Sequence, residues 1–238
     1  MSYPDDIDRE TVRAEGVGPE TRTTAGKGSP VAKSARPTLT ERRAEELRRT
    51  IALTARDLFI ADGNTSATVE QICEIVGISP RTFHRHFPVK EDVLSPLFRQ
   101  SEELIVEILR TASAEADPVE VLAHAFTTEV HRREVPEFDR KFMELMINTP
   151  PYRLRWLEWG EGLCKEITRF LDQHFELGQD PFLRELPAQL AMQTMRHAYI
   201  HWVDAGHSGE FAEVEHLLRR GIQMLFTGIG AATPPAPT

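Results

Sequence analysis

Apolar residues along this chain recur every three or four positions, the spacing of one face of a helix. No stretch alternates convincingly with the period of a strand, so the expected fold class is all-α. Leu47, Ile51, Thr54, Ala55, Leu58 and Phe59 share one stripe of a first helix over residues 41–61, with Thr40 as its N-cap and Gly63 as its stop. A second helix, 68–76, is capped by Thr68, carries Ile72, Cys73 and Val76 on one side and ends at Gly77. A short third helix follows over 80–87, and a long fourth starts at Lys90. Pro96 removes a backbone hydrogen bond from this fourth helix, which predicts a kink or a restart with Ser95 as the new cap. Farther on, the pattern predicts helices over 118–131, 136–148, 152–177, 187–205 and 209–229.

The second and third helices, joined by Val76-Gly77-Ile78-Ser79, have the layout of a helix-turn-helix. Gly77 supplies the left-handed residue of the tight turn, Cys73 is small where the helices meet, and Ile72, Val76, Ile78 and Phe83 form their shared core. Ser79, Arg81, Thr82, His84 and Arg85 are left on the outer surface, with Pro80 opening the third helix. Such a helix suits the major groove, where arginine reads guanine N7 and O6 while Thr and His reach base edges or phosphates. Thr68 and Lys90 are placed for phosphates.

Charge sharpens this reading. The 238 residues carry a formal net charge of −9, yet residues 1–39 and 40–91 are each neutral, so the whole excess lies after Glu91. A neutral front can meet a polyanion while an acidic remainder faces away. Residues 1–38 are rich in Pro and Gly with few large apolar side chains, which predicts a disordered arm, and 231–238 a disordered tail. From Thr23 to Leu39 the charged residues of the arm are Lys27, Lys33 and Arg36, a basic half fit to lie along phosphates. The start, MSYPDDIDRE, is acidic where a secretory signal is basic and then apolar, and there is no long apolar run, so a cytoplasmic protein with no membrane partner is expected. Cys73 and Cys164 lie far apart and read as small buried residues.

Over residues 48–94 the segments ALTARDLFIADG, TSATVEQICEIVGIS and PRTFHRHFPVKEDVL closely resemble the DNA-binding domain of the TetR/AcrR family of bacterial transcription regulators. The resemblance implies a three-helix N-terminal DNA-binding domain, 39–89, followed by a larger helical ligand-binding and dimerisation domain, 90–230. It matches Thr68, Ser79, Arg81, Thr82, His84, His86 and Lys90 to the family's DNA-contact positions, and Phe83 and Phe87 to core positions. Cys73, in place of the family's usual Ala, and Pro96 depart from the pattern.

The larger part has no motif of its own. Leu190, Ala191, Thr194, Met195, Ala198 and Trp202 on one helix, and Val214, Leu217, Leu218, Gly221, Ile222 and Leu225 on the last, form broad apolar faces. Two such helices from each of two chains would close a four-helix bundle, so Leu190, Thr194, Ala198, Trp202, Val214, Leu218, Ile222 and Leu225 are the expected dimer contacts. Met143, Met146, Trp156, Trp159, Met192 and Met195, joined by Phe126, His174 and Tyr199, suit an adaptable apolar cavity, with His124, His174 or Tyr199 as its polar group. The expectation is a homodimeric repressor of a palindromic operator, released by a small apolar effector, with no cofactor. The competing reading is a metal-responsive regulator or an enzyme, since His197 and His201 are spaced i,i+4 with Asp204 nearby. Ala198 stands where a metalloprotease helix would carry its glutamate, which argues against hydrolysis.

Overall fold

The structure, a computed structural model, divides into residues 1–37 and residues 38–238 and describes residues 38–133, 136–206 and 211–232. The expected arm, apart from Thr38, lies outside the described residues, as do Gly209 and the tail past Ala232. Every regular element among the described residues is helical: α1 Leu39–Asp62, α2 Val69–Val76, α3 Pro80–His86, a 3-10 turn Lys90–Leu94, α4 Ser95–Thr111, α5 Pro118–Arg133, α6 Pro136–Asn148, α7 Pro150–Glu158, α8 Glu161–Leu171, α9 Pro181–Asp204 and α10 Phe211–Ala232.

Helix starts are set by reciprocal caps. Thr38, not Thr40, caps α1, because only Thr38 has a glutamate three residues on: Glu41 N donates to its hydroxyl at 3.2 Å and Thr38 N donates back to the Glu41 carboxylate at 2.7 Å. Those bonds hold the Glu41 carboxyl below the usual carboxylate range. Thr68 and Gln71 repeat the device at α2, and Gly77 ends that helix at φ 76°. Pro96 falls in the first turn of α4, where its missing N–H leaves no bond unmade. The fourth helix does restart there, but Ser95 makes no cap bond.

Two of the longer helices differ from the pattern. The single helix expected over 152–177 is broken into α7 and α8 at Gly160, whose left-handed φ of 93° ends the helical path between them. A Cβ at Gly160 would strike the Met192 Cε, so the break also lets α9 approach closely. Arg196 of α9 secures it by donating to the carbonyls of Leu157 at 2.6 Å and Trp159 at 3.0 Å. Helix α9 begins at Pro181, capped by Asp180, and runs through the buried Pro187 rather than starting there. An Asp cap with Pro at the first helical position outweighs one lost backbone bond inside a long buried helix.

Two cores share the chain. Ile51, Phe59, Ile72, Phe83, Phe87 and Leu94 fill the front one, and Phe142, Met146 and Tyr152 of α6 and α7 close it, Tyr152 meeting Phe59 edge-on at 5.5 Å between ring centres. The second lies among α4, α5, α8, α9 and α10, with Leu122, Leu163, Ile167 and Leu171 at its centre. Here the expected dimer contacts need correction: Ala198, Trp202, Val214, Leu218 and Ile222 are buried within the chain itself. Helix α9 is apolar on two sides, and sequence spacing does not say which of them faces inward. Leu190, Thr194 and Leu225 stay at least partly exposed. Gly221 lets α10 sit against Thr194, whose Cγ2 would be 2.5 Å from a Cβ there.

Candidate nucleic-acid interface and effector cavity

Helix α3 is set on the front core by Phe83 and preceded by Ser79, whose hydroxyl accepts from Thr82 N at 3.1 Å. Its outward residues carry no acid. Pro80, Arg81, His84 and Arg85 are exposed along with Ser79 and Thr68, and Thr82 is half-buried with its hydroxyl 3.0 Å from that of Ser79. A short helix that exposes two guanidiniums with no ion pair among the described residues, an imidazole and small hydroxyls has the chemistry of a groove reader.

Two expected DNA contacts sit elsewhere. Both ring nitrogens of His86 are buried with no hydrogen-bond partner among the described residues, on a half-buried side chain close enough to α1 for the charges of Arg48 and Glu45 to act on it. Burial, then the charges of Arg48 and Arg85, hold its pKa below the ordinary histidine value, and Glu45 acts the other way. Lys90 is half-buried, its ammonium donating to the carbonyls of Thr65 at 2.9 Å and Ala67 at 3.3 Å.

Next to the front core, α4, α5, α6, α7 and α9 line a partly open cavity of about 90 Å³. Of the expected lining residues, Phe126, Met143, Trp156, Trp159, Met195 and Tyr199 do line it. Met146 belongs instead to the front core, Met192 packs on Gly160, and His174 stacks on Phe170 at 4.6 Å. The exposed His124 is not in the wall either. Sequence reasoning missed the α4 wall, Leu97, Phe98, Ser101, Leu104 and Ile105, and also Ala125, Phe142 and the buried carboxylate of Asp139. Its trace was the 97-101-105 stripe, on which Ser101 is a small polar interruption.

The polar ends of two wall residues are bound to backbone. Tyr199 donates its hydroxyl to the Phe126 carbonyl at 2.8 Å, and the Trp159 indole N–H donates to the Phe98 carbonyl, also at 2.8 Å. The second bond ties the α7–α8 break to the first turns of α4. Among the described residues no group of His, Cys, Asp or Glu is arranged to hold a metal ion; His201 lies exposed, 4.0 Å from Glu213. No described helix is long and apolar enough to cross a membrane. Both cysteines are free, and burial pushes each thiol up.

Residues 51–96 match the family model described as bacterial regulatory proteins, tetR family. The HTH-type transcriptional regulator TcmR of Streptomyces glaucescens is 29% identical over 142 residues, which is 57% of this chain and 63% of that protein's length. Among solved structures, a transcriptional regulator from Aquifex aeolicus VF5 aligns over 76% of this chain and 99% of its own, with a TM-score of 0.52 at 22% identity. Thermus thermophilus FadR, a TetR-family repressor solved with lauroyl-CoA, aligns over 80% and 99%, with a TM-score of 0.54 at 23% identity. At such identities the two structures speak to the fold alone, and that fold is the one found here: a helix-turn-helix head on an all-helical body. The matched residues take in most of α1 with α2, the turn and α3, so the front of the chain carries a helix-turn-helix unit of the kind found in bacterial regulatory proteins of the tetR family.

Proposed function

We propose that this regulator is a homodimeric repressor that reads a palindromic operator with α3 of each chain and releases it when an apolar, ring-containing effector fills the cavity. The observation that carries the reading is the shared wall: Phe98 and Trp159 line the cavity, and the indole of Trp159 is hydrogen-bonded to the Phe98 carbonyl of α4. Sites for drug-sized ligands measure about 300–1,000 Å³, so a ligand entering about 90 Å³ has to push its walls apart. Helix α4 continues from the 3-10 turn beneath the DNA-binding helices, so moving it moves them. A ligand lowers operator affinity only by preferring the head arrangement that DNA does not.

Six rings in the wall, Phe98, Phe126, Phe142, Trp156, Trp159 and Tyr199, favour a planar aromatic effector, beside the polar wall residues Ser101 and Asp139. The dimer reading rests on the outer side of α9 and α10. Leu190 and Met224 are 40% and 75% exposed there, beside the half-buried Leu217 and Leu225, around the close crossing at Thr194 and Gly221. Such a patch suits a two-fold contact.

The test is selection of duplexes from a random-sequence pool by the whole protein, followed by thermal-shift screening of planar aromatic compounds. The expected result is a palindromic site bound by two chains and at least one stabilising compound that weakens its binding. Stabilising compounds that leave operator affinity unchanged would refute the effector reading.

A further inference from the structure

The loop that carries the chain from α1 into α2 is tied down at several points. Asn64 donates to the Asp62 carbonyl at 2.8 Å and accepts from Ser66 N at 2.8 Å, and Ala67 is buried. The remaining tie comes from outside the loop: the Lys90 ammonium takes the carbonyls of Thr65 and Ala67, 25 and 23 residues earlier in sequence. Immediately after Ala67 comes Thr68, the cap of α2, which is itself exposed. Lys90 in turn stands on firm ground. Val93 and Leu94 of the same 3-10 turn are fully buried, and the Asp92 carboxylate lies 2.8 Å from Arg155 Nε of α7. That contact is a charge pair rather than an aligned hydrogen bond, since Nε has no acceptor at good angle.

We propose that Lys90 is a positioning residue, which serves DNA binding by clamping the 65–67 loop and so fixing Thr68 and the first turn of α2, and not by touching a phosphate. The proposal deepens the operator-binding reading and rests on it. An ammonium has three donors in a compact head; here two of them are spent on backbone carbonyls, and the residue is half-buried. Charge-assisted bonds of this kind are strong and directional, so losing them frees the loop rather than exchanging one exposed contact for water. Because Asp92 is held by Arg155, one helical turn before Trp159, the same turn links the α2 cap to the cavity-bearing body.

A positioning role and a phosphate contact leave different signatures in salt. A lysine that neutralises a phosphate contributes about 0.9 to the slope of log affinity against log salt for each head. A clamp contributes nothing to it. The experiment uses the whole protein and a duplex selected by the wild type, with binding measured by fluorescence anisotropy over a range of salt concentrations. Lys90→Met keeps the aliphatic stem and removes the donors; it is expected to lose about tenfold in affinity with the salt slope unchanged. Its Gln71 amide, bonded to Thr68 in the wild type, is expected to exchange faster with solvent. Lys90→Arg restores donors and is expected to recover affinity to within about threefold at that same slope. Should Lys90→Met fail to fold, Lys90→Gln carries the same slope test with one neutral donor group. A slope shallower by about 0.9 per head would overturn the proposal in favour of a phosphate contact. So would a lowered melting temperature with unchanged affinity, which marks a residue of stability alone. If the wild type selects no duplex, the operator reading itself fails, and this proposal goes with it.

Discussion

Leu218→Glu is expected to abolish folding, whereas the double variant Leu190→Glu/Met224→Glu is expected to fold normally and elute as a monomer. Leu218 is fully buried on α10, in a core shared with Val214, Ile222 and Trp202. Removing a buried leucine costs about 2–5 kcal/mol. Leaving an unpaired buried charge costs about 3–5 kcal/mol more. Together these reach the whole stability of a typical domain, about 5–15 kcal/mol. Leu190 and Met224 are 40% and 75% exposed, so charges placed there meet water in the single chain and burial only in a dimer. Circular dichroism and light scattering separate the two results. A soluble, folded, monomeric Leu218→Glu protein would put the subunit contact back on the inner face.

The second large effect is expected at the recognition helix. Arg81 and Arg85 are exposed one helical turn apart on α3 and make no ion pair among the described residues, so replacing both with Ala leaves the front core of Phe83, Phe87 and Ile72 untouched. A bidentate arginine-to-guanine contact is worth about 1–3 kcal/mol of discrimination, and a phosphate contact contributes affinity and salt dependence instead. Two such residues in each of two heads lead to an expected loss of at least about a hundredfold on the selected duplex, with an unchanged dichroism spectrum. A loss below about threefold would move the reading surface off α3.

The DNA-binding unit was legible because its signals are local. A cap, a left-handed glycine and an apolar triad all fall within residues 68–87, and each depends on neighbours a few positions away. The body was legible only as helices. Within residues 152–177 the break at Gly160 is marked only by the pair Gly160 and Gly162, and the purpose of Gly160, the approach of Met192, is supplied by a helix thirty residues later. His86 follows the same rule: spacing put it on α3, but only the packing of the folded chain decided that its ring nitrogens are buried. Lys90 reads as a phosphate ligand by type and position, and its two carbonyl partners in the 65–67 loop become visible only once the chain is folded. The cavity was half found. Its Met and Trp residues stand out by type, whereas Leu97, Leu104 and Ile105 of α4 look like any helix core. Inner and outer faces of α9 and α10 were confused for the reason that both are apolar.

The coupling between cavity and heads is tested most directly by Trp159→Phe, which keeps an aromatic wall but removes the indole N–H bonded to the Phe98 carbonyl. The measurement is the operator dissociation constant with and without a saturating planar aromatic compound that quenches the fluorescence of Trp156. For the wild type the compound is expected to weaken operator binding within the usual range of coupling between sites, about 5- to 150-fold. In Trp159→Phe the compound is expected to bind and quench still, yet to change operator affinity by less than about twofold. Full wild-type coupling in that variant would contradict a signal carried from the cavity wall to α4 through Trp159.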